Sequence, residues 1–381
     1  MQRKVKHLLF VKYFIKYLPN KSFFFCLFSI SERIKMKIYD KIPKVKFLKD
    51  SVFLHFTGNM FGIGCSVFSE KGIQKINELK QKTGNKGYIV LIPELDWLER
   101  FCEQQDVKIQ RIMQQYCPGN LTVLLDVKND KLSNVSFKNK VGFRIPASSF
   151  LREFIKETNE PIISTSINVS NESPINDLKQ ILKEKKNWFD FAILPKKEKK
   201  EEIARSTIID FSDNKLSCIR EGSIKFQRIK ESFEVPQILF ICTANICRSP
   251  MADYQIKEML KKNHLAFRVS SAGFLEGGFP ISKGSRIVLS ENNIDASKHI
   301  SQKVNRQIVQ DSFLILTMTQ LHKQRLLELE PNAVYKIFTL SEYCDFSIDI
   351  DDPYGLDVSF YRETFKKIKE RLEILIKKII D

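Results

Sequence analysis

Ile241-Cys242-Thr243-Ala244-Asn245-Ile246-Cys247-Arg248-Ser249-Pro250 follows the apolar run Ile238-Leu239-Phe240. The stretch reads as a short strand, a tight C-x5-R-S loop, and a helix opening at the Ser-Pro pair. A turn of this kind aims successive backbone N–H groups at one point, and the helix dipole adds to their pull on an anion. Arg248 adds a planar fork able to hold two oxygens of a phosphate. Only a thiolate attacks phosphorus, so a nucleophilic cysteine must sit where negative charge is favoured. Cys242 occupies such a place. Ser249 can donate a hydrogen bond to its sulfur. Pro250 suits a first helical turn, where its missing N–H costs nothing. Met251–Lys262 continues at helical spacing.

Transfer of a phosphoryl group to sulfur also needs an acid for the departing oxygen. Asp352, in Asp-Asp-Pro-Tyr-Gly, lies in a turn-prone loop before a proline that keeps it extended. It is the candidate acid, and then the base that activates water. This chemistry needs no metal or cofactor, and the five histidines show no ligand spacing. The competing reading is a buried cysteine near an unrelated surface arginine.

These residues resemble the low-molecular-weight protein-tyrosine phosphatase family over about residues 236–381. Its C-x-G-N-x-C-R-S-P pattern is met by Cys242, Asn245, Cys247, Arg248, Ser249 and Pro250. Ser271-Ala272-Gly273, Leu314–Met318 and Asp352-Pro353-Tyr354 match three later segments. The resemblance implies Cys242 as nucleophile, Arg248 as phosphate clamp and Asp352 as acid then base. It implies phosphate contacts from Thr243, Ala244, Asn245, Ile246, Cys247 and Ser249. It also implies that Cys247 can form a protective disulfide with Cys242. The family's glycine is Ala244 here, a strained substitution if that position needs positive φ. Leu316–Lys323 and Val334–Glu342 resemble bacterial members, protein-arginine phosphatases included. Those carry threonine where this chain has Ile246 and phenylalanine where it has Tyr354. An apolar Ile246 wall suits an aromatic ring, so a phosphotyrosine protein is the expected substrate and phosphoarginine the alternative.

The chain has 381 residues, enough for two domains, and 43% hydrophobic residues, which says globular. Eight scattered cysteines without a C-x-x-C pair read as reduced thiols and a cytoplasmic protein. The net charge of +17 suggests an anionic partner such as tRNA, or simply a solvated lysine-rich surface. Phe23–Ile30 is far shorter than the roughly 20 residues that span a bilayer, so no membrane partner is expected. Residues 1–46 read as a basic extension, with Met36 a second candidate start.

Residues 47–228 read as a mixed α/β domain. Strands are expected at Val52–Phe56, Tyr88–Ile92, Leu121–Val127, Ile162–Thr165, Ser206–Phe211 and Leu216–Arg220. Helices are expected at Glu70–Gln81 and Ala147–Thr158, and a charge-dense loop at Lys183–Glu202. Residues 221–236 read as connecting chain, its core 229–236 a linker into a second domain at 237–381. That domain is expected to be a doubly wound parallel sheet with its active loop at a strand's C-terminal end.

Seven segments resemble, in order, the YrdC-like domain of threonylcarbamoyl-adenylate synthases, a twisted mixed sheet with helices. They are Glu70–Lys82, Asn85–Leu91, Tyr116–Thr122, Val141–Pro146, Ser164–Ser170, Ser206–Asp210 and Ile219–Gly222. The resemblance implies ATP, L-threonine and bicarbonate as substrates, and tRNA modification. It implies nucleotide contacts from Lys80, Ser166, Asn168, Ser206 and Arg220, with Thr57, Thr122 and Arg144 near a threonine pocket. Lys82 replaces the arginine of the K-x-R pattern and loses its fork. The family's P-T-D-T-V-Y-G-L-G is Phe56–Gly64 here, without its aspartate, second threonine and tyrosine. Three readings follow: a phosphatase joined to a diverged synthase-like domain, a bifunctional synthase and phosphatase, or a phosphatase with a non-catalytic RNA- or nucleotide-binding module.

Overall fold

The computed structural model describes residues 37–43, 49–81, 87–128, 130–170, 172–197, 203–212 and 215–380. The expectations for residues 1–36 and for Lys82 lie outside these. The fold is mixed α/β and divides into two compact units. One takes Ser148–Ile203 with the described residues up to Gln81; the other takes Lys86–Ala147 with Ala204–Asp381.

In the first unit five strands lie in the order Lys37–Tyr39, Phe191–Ile193, Phe53–Phe56, Phe61–Ser66, Ile162–Ser166. The first three run parallel, and the last two each pair antiparallel to their predecessor. The helix Glu70–Leu79 starts where the Ser69 hydroxyl accepts from Gly72 N (3.0 Å), satisfying a donor that the helix itself cannot. The helix Ser149–Thr158 is capped by Ser148 and ends on Asn159 in the left-handed region, φ 52°. The core is aromatic: Phe53 stacks on Phe191 and meets Phe154 edge-on, both at 5.4 Å. The stretch expected as a charged loop, Lys183–Glu202, instead takes in the end of the helix Leu178–Glu184 and carries the strand Phe191–Ile193. Its lysines mask a short buried run, with Phe189, Phe191, Ala192 and Ile193 all inside.

The second unit holds two sheets. One orders Ile89–Leu91, Lys140–Arg144, Leu121–Asp126, Thr207–Ser212 and Lys215–Arg220. The other is four-stranded and wholly parallel, in the order Arg268–Gly273, Gln237–Cys242, Leu314–Thr317, Ile337–Thr339. Alternation along the strand Gln237–Cys242 fills both faces of this sheet. Ile238, Phe240 and Cys242 pack under the helices Arg248–Lys262, Lys283–Glu291 and Val358–Ile380. Leu239 and Ile241 pack under Arg306–Asp311 and Gln320–Leu329. Phe240 is fully buried, so Phe240→Ala would cost about 3–5 kcal/mol. The doubly wound expectation holds, and it puts residues 242–248 at the C-terminal end of a central strand.

The stretch 221–236 carries the helix Phe226–Glu234. Its Ser232 hydroxyl meets the side chains of Gln115 and Tyr116 at 3.1 and 3.2 Å. Those two residues sit on a helix missed in the sequence, Val107–Tyr116, and Gln115 also donates to Gln310 O at 2.9 Å. Lys336 is buried beside these groups and donates to Val309 O and Ser312 O, at 2.7 and 2.9 Å. Burial pushes its amine down to about 7.

Candidate active site

Loop 242–248 is held by its carbonyls. Thr243 O accepts from Phe274 N (2.7 Å) and Leu275 N (3.1 Å), and Ile246 O from Ser282 N (2.9 Å). Asn245 O pairs with His299 Nε2 at 2.7 Å. In a trans peptide the N–H points opposite to the carbonyl, so carbonyls tied outward turn the amides of Ala244, Ile246 and Cys247 inward. This is the anion nest that the spacing implied.

Asn245 makes the turn. Its φ is 57°, its side-chain amide donates to Ser249 Oγ (3.0 Å), and its Oδ1 accepts from Gln302 N (3.0 Å). Asparagine tolerates the left-handed region better than most residues, so this was readable from type alone. Ala244 is not among the residues with positive φ, so the strain expected there does not arise. Gly273, across the register from Cys242, is the glycine that the loop needs. A Cβ there would stand 2.7 Å from both Asn245 N and Thr243 O.

Ser249 Oγ lies 2.9 Å from Cys242 Sγ, within reach to donate to the sulfur. Arg248 is buried (4% exposed), with Nη1 donating to Ile350 O (3.1 Å) and Nη2 to Asp352 Oδ2. Its Nε is buried with no acceptor among the described residues. A guanidinium that lines the cleft with a donor in hand suits a phosphoryl oxygen. Asp352 is partly exposed, its side chain 43% accessible, which fits the acid role expected of it. Cys247 Sγ contacts Ser282 Oγ (3.3 Å) and Tyr361 Oη (3.8 Å), and burial pushes its thiol up. Burial pushes the thiols of Cys65, Cys102 and Cys117 up to about 12, which leaves them inert.

A cleft of about 320 Å³ opens over the loop. Cys242, Thr243, Ala244, Ile246, Cys247, Arg248 and Asp352 line it, while Asn245 and Ser249, also expected at the phosphate, are fully buried behind the loop and do not. Leu275, Glu276, Phe279 and Tyr354 complete it. Sequence reading missed Leu275, Glu276 and Phe279, because no local pattern sets them beside a loop 30 residues earlier. Leu275, Phe279 and Tyr354 are 50%, 58% and 66% exposed, an apolar rim left open.

The residues singled out nearer the N-terminus form two groups, one in each unit. In the first unit Lys80 Nζ donates to Ser166 O (2.7 Å) and Asn168 O (2.8 Å). Thr57 is buried, and its hydroxyl lies 3.0 Å from both Asn59 Oδ1 and Met60 O. In the second unit Thr122 Oγ1 bonds Ser206 Oγ (3.0 Å), and Arg220 Nη2 donates to Ser206 O (2.9 Å). Arg144 donates to Gly119 O (2.9 Å) and Asn120 Oδ1 (2.7 Å). Burial, and then the charge of Arg205, lower the pKa of Arg220.

Residues 237–381 match the family model for low molecular weight phosphotyrosine protein phosphatases, and residues 48–222 match the Sua5/YciO/YrdC model described as telomere recombination. A protein-arginine-phosphatase of Bacillus subtilis is 33% identical over 144 residues, covering 37% of this chain and 95% of the relative. A low molecular weight protein-tyrosine-phosphatase of Acinetobacter johnsonii is 35% identical over 129 residues, 33% of this chain and 86% of the relative. A putative threonylcarbamoyl-AMP synthase of Methanocaldococcus jannaschii is 26% identical over 203 residues, 53% of this chain and 94% of the relative. The solved protein tyrosine phosphatase of T. tengcongensis is 33% identical, covers 38% of this chain and 99% of its own, and gives a TM-score of 0.37. The chain joins a Sua5/YrdC-like region to a phosphoric monoester hydrolase, and through residues 237–381 it belongs to the low molecular weight phosphotyrosine protein phosphatase family.

Proposed function

We propose that residues 237–381 hydrolyse phosphotyrosine in proteins through a cysteinyl-phosphate on Cys242. The observation that carries this is the shared cleft of Cys242, Arg248 and Asp352, floored by inward amides and rimmed by Ile246, Leu275, Phe279 and Tyr354. The Cys242 thiolate attacks phosphorus as the ester P–O bond breaks, and the Asp352 carboxyl gives its proton to the leaving oxygen. Arg248 and the amides of Ala244, Ile246 and Cys247 hold the three remaining oxygens. The Asp352 carboxylate then takes a proton from water, which attacks phosphorus. The P–S bond breaks, phosphate leaves, and the thiolate returns with Ser249 donating to it. No cofactor enters these steps.

Two observations favour phosphoarginine as a second reading: the relatives named protein-arginine-phosphatase, and the Glu276 carboxylate on the cleft wall. Wild type, Cys242→Ser and Ile246→Thr are to be assayed on p-nitrophenyl phosphate and on phosphotyrosine and phosphoarginine peptides. The expected result is turnover of the phenyl ester and of phosphotyrosine, none by Cys242→Ser, and a gain on phosphoarginine with Ile246→Thr. Turnover by Cys242→Ser equal to wild type refutes the mechanism.

In the proposed organisation, residues 47–228 are a diverged synthase-like domain, 229–236 a linker and 237–381 the phosphatase. The first domain keeps anion or nucleotide binding, with tRNA as its partner, and does not synthesise threonylcarbamoyl-AMP. In support, the Thr57 hydroxyl is engaged within its own turn, and the family's aspartate is missing from that stretch. Pyrophosphate release from ATP that depends on threonine and bicarbonate would establish the bifunctional alternative instead. The chemistry proposed is that of a cytoplasmic enzyme; among the described residues no helix is long and apolar enough to cross a membrane.

A further inference from the structure

His322 has no role in the reaction as written, yet it touches the phosphate loop. It opens the helix Gln320–Leu329 and is 7% exposed. Its Nε2 lies 2.9 Å from Thr243 Oγ1, and its Nδ1 lies 2.9 Å from Thr319 Oγ1. Thr319 follows the strand Leu314–Thr317 and caps the helix, its oxygen accepting from His322 N at 3.3 Å. The imidazole stacks on Phe274 (centroids 5.9 Å, planes 18° apart), and Arg325 covers that ring at 4.4 Å. Phe274 N is itself bonded to Thr243 O.

A neutral imidazole has one donor and one acceptor. The Thr319 oxygen already accepts from a backbone N–H, and among the described residues its hydroxyl proton has one acceptor, Nδ1. That arrangement leaves the ring proton on Nε2, directed at Thr243 Oγ1. The Thr243 hydroxyl proton is then released from the ring, and Thr243 lines the cleft.

We propose that His322 is a positioning residue of the phosphate loop: as the Nε2–H tautomer it donates to Thr243 Oγ1 and turns the Thr243 hydroxyl proton onto a phosphoryl oxygen. The inference rests on the phosphatase reading above and adds to it a side-chain contact that the loop pattern does not specify. Burial first, and then the charge of Arg248, push the ring down to about 4, with Asp352 opposing and Arg325 adding. The neutral ring that the proposal needs is therefore in place throughout the neutral range.

The test is competitive inhibition by inorganic phosphate, with kcat/KM on p-nitrophenyl phosphate and thermal melts alongside. The proteins are full-length wild type, His322→Leu, His322→Gln, Thr243→Val and the double variant His322→Leu/Thr243→Val. Loss of one hydrogen bond to a charged group predicts phosphate Ki raised about 10-fold or more in each of His322→Leu and Thr243→Val. The double variant should match the singles, because both remove the same contact. His322→Gln, whose amide can donate to Thr243, should return Ki to within about 3-fold of wild type. Wild-type Ki in His322→Leu together with a lower melting temperature would make the residue merely structural and overturn the proposal, and additive effects in the double variant would do the same. A wild-type protein that neither turns over the ester nor binds phosphate would remove the phosphatase reading itself.

Discussion

Gly273→Ala tests how tightly the phosphate loop is built against its neighbouring strand. The added Cβ would stand 2.7 Å from Asn245 N, 2.7 Å from Thr243 O and 2.8 Å from Ala244 C. All three are backbone atoms, so no rotamer change relieves the contact. Restoring ordinary separation of about 3.4 Å requires the loop or the strand to move by about 0.7 Å. The loop cannot move alone, since its carbonyls are tied to Phe274, Leu275, His299 and Ser282. Displacing amides and the Cys242 sulfur by such an amount should cost about 10²-fold in kcat/KM, equal to about 2.7 kcal/mol of transition-state stabilisation. The assay is p-nitrophenyl phosphate hydrolysis, with a melt to show that the protein is folded. Ala244→Gly is the matched control: Ala244 is not in the left-handed region, so activity should stay within about 3-fold of wild type. Gly273→Ala with kcat/KM within 3-fold of wild type would refute the reasoning.

Other outcomes follow from the same geometry. Asp352→Asn keeps the shape but gives no proton, so kcat on p-nitrophenyl phosphate should fall about 10²–10⁴-fold while phosphate still binds; a kcat unchanged at every pH would rule Asp352 out as the acid. His322 stays neutral in the fold down to about 4 but takes a proton in the unfolded chain near 6.5. Its contribution to stability is therefore complete above 6.5 and is lost as pH falls from 6.5 towards 4. Melting temperature against pH should be flatter in that window for His322→Gln, and identical slopes would count against it. Lys336 sits near 7 in the fold against 10.5 ordinarily, so the unfolded chain binds the extra proton between those values. Stability should thus rise with pH from 7 to 10 in wild type relative to Lys336→Met, a difference that paired melts would reveal or exclude.

The parts legible in the sequence were those where neighbours along the chain are also neighbours in the site. Residues 238–250 read correctly as strand, loop and helix, because an apolar run, a short turn and Ser-Pro follow one another in one segment. Asp352 was singled out from its place before a proline, which keeps it extended, but only the fold brings it to Arg248 and the cleft, 104 residues away in sequence. The misses share a cause. The helix Phe226–Glu234 and the strand Phe191–Ile193 lie in charged sequence, and only burial against distant residues makes them regular. Strain at Ala244 was expected from a missing glycine, yet the positive φ falls one residue later, on Asn245.

The sequence by itself determined the chemistry: a thiol, a guanidinium, a carboxyl and a turn able to aim amides at an anion. Side-chain type and short spacing suffice for the proposed nucleophile and clamp, which sit on one continuous loop, and not for the carboxyl, which comes from a distant segment. Only the tertiary structure decided what surrounds them. It placed Leu275, Glu276 and Phe279 on the cleft wall, Gly273 under the loop and His322 behind Thr243. Parallel strands bring together segments tens of residues apart, and no local pattern encodes which side chains then face one another.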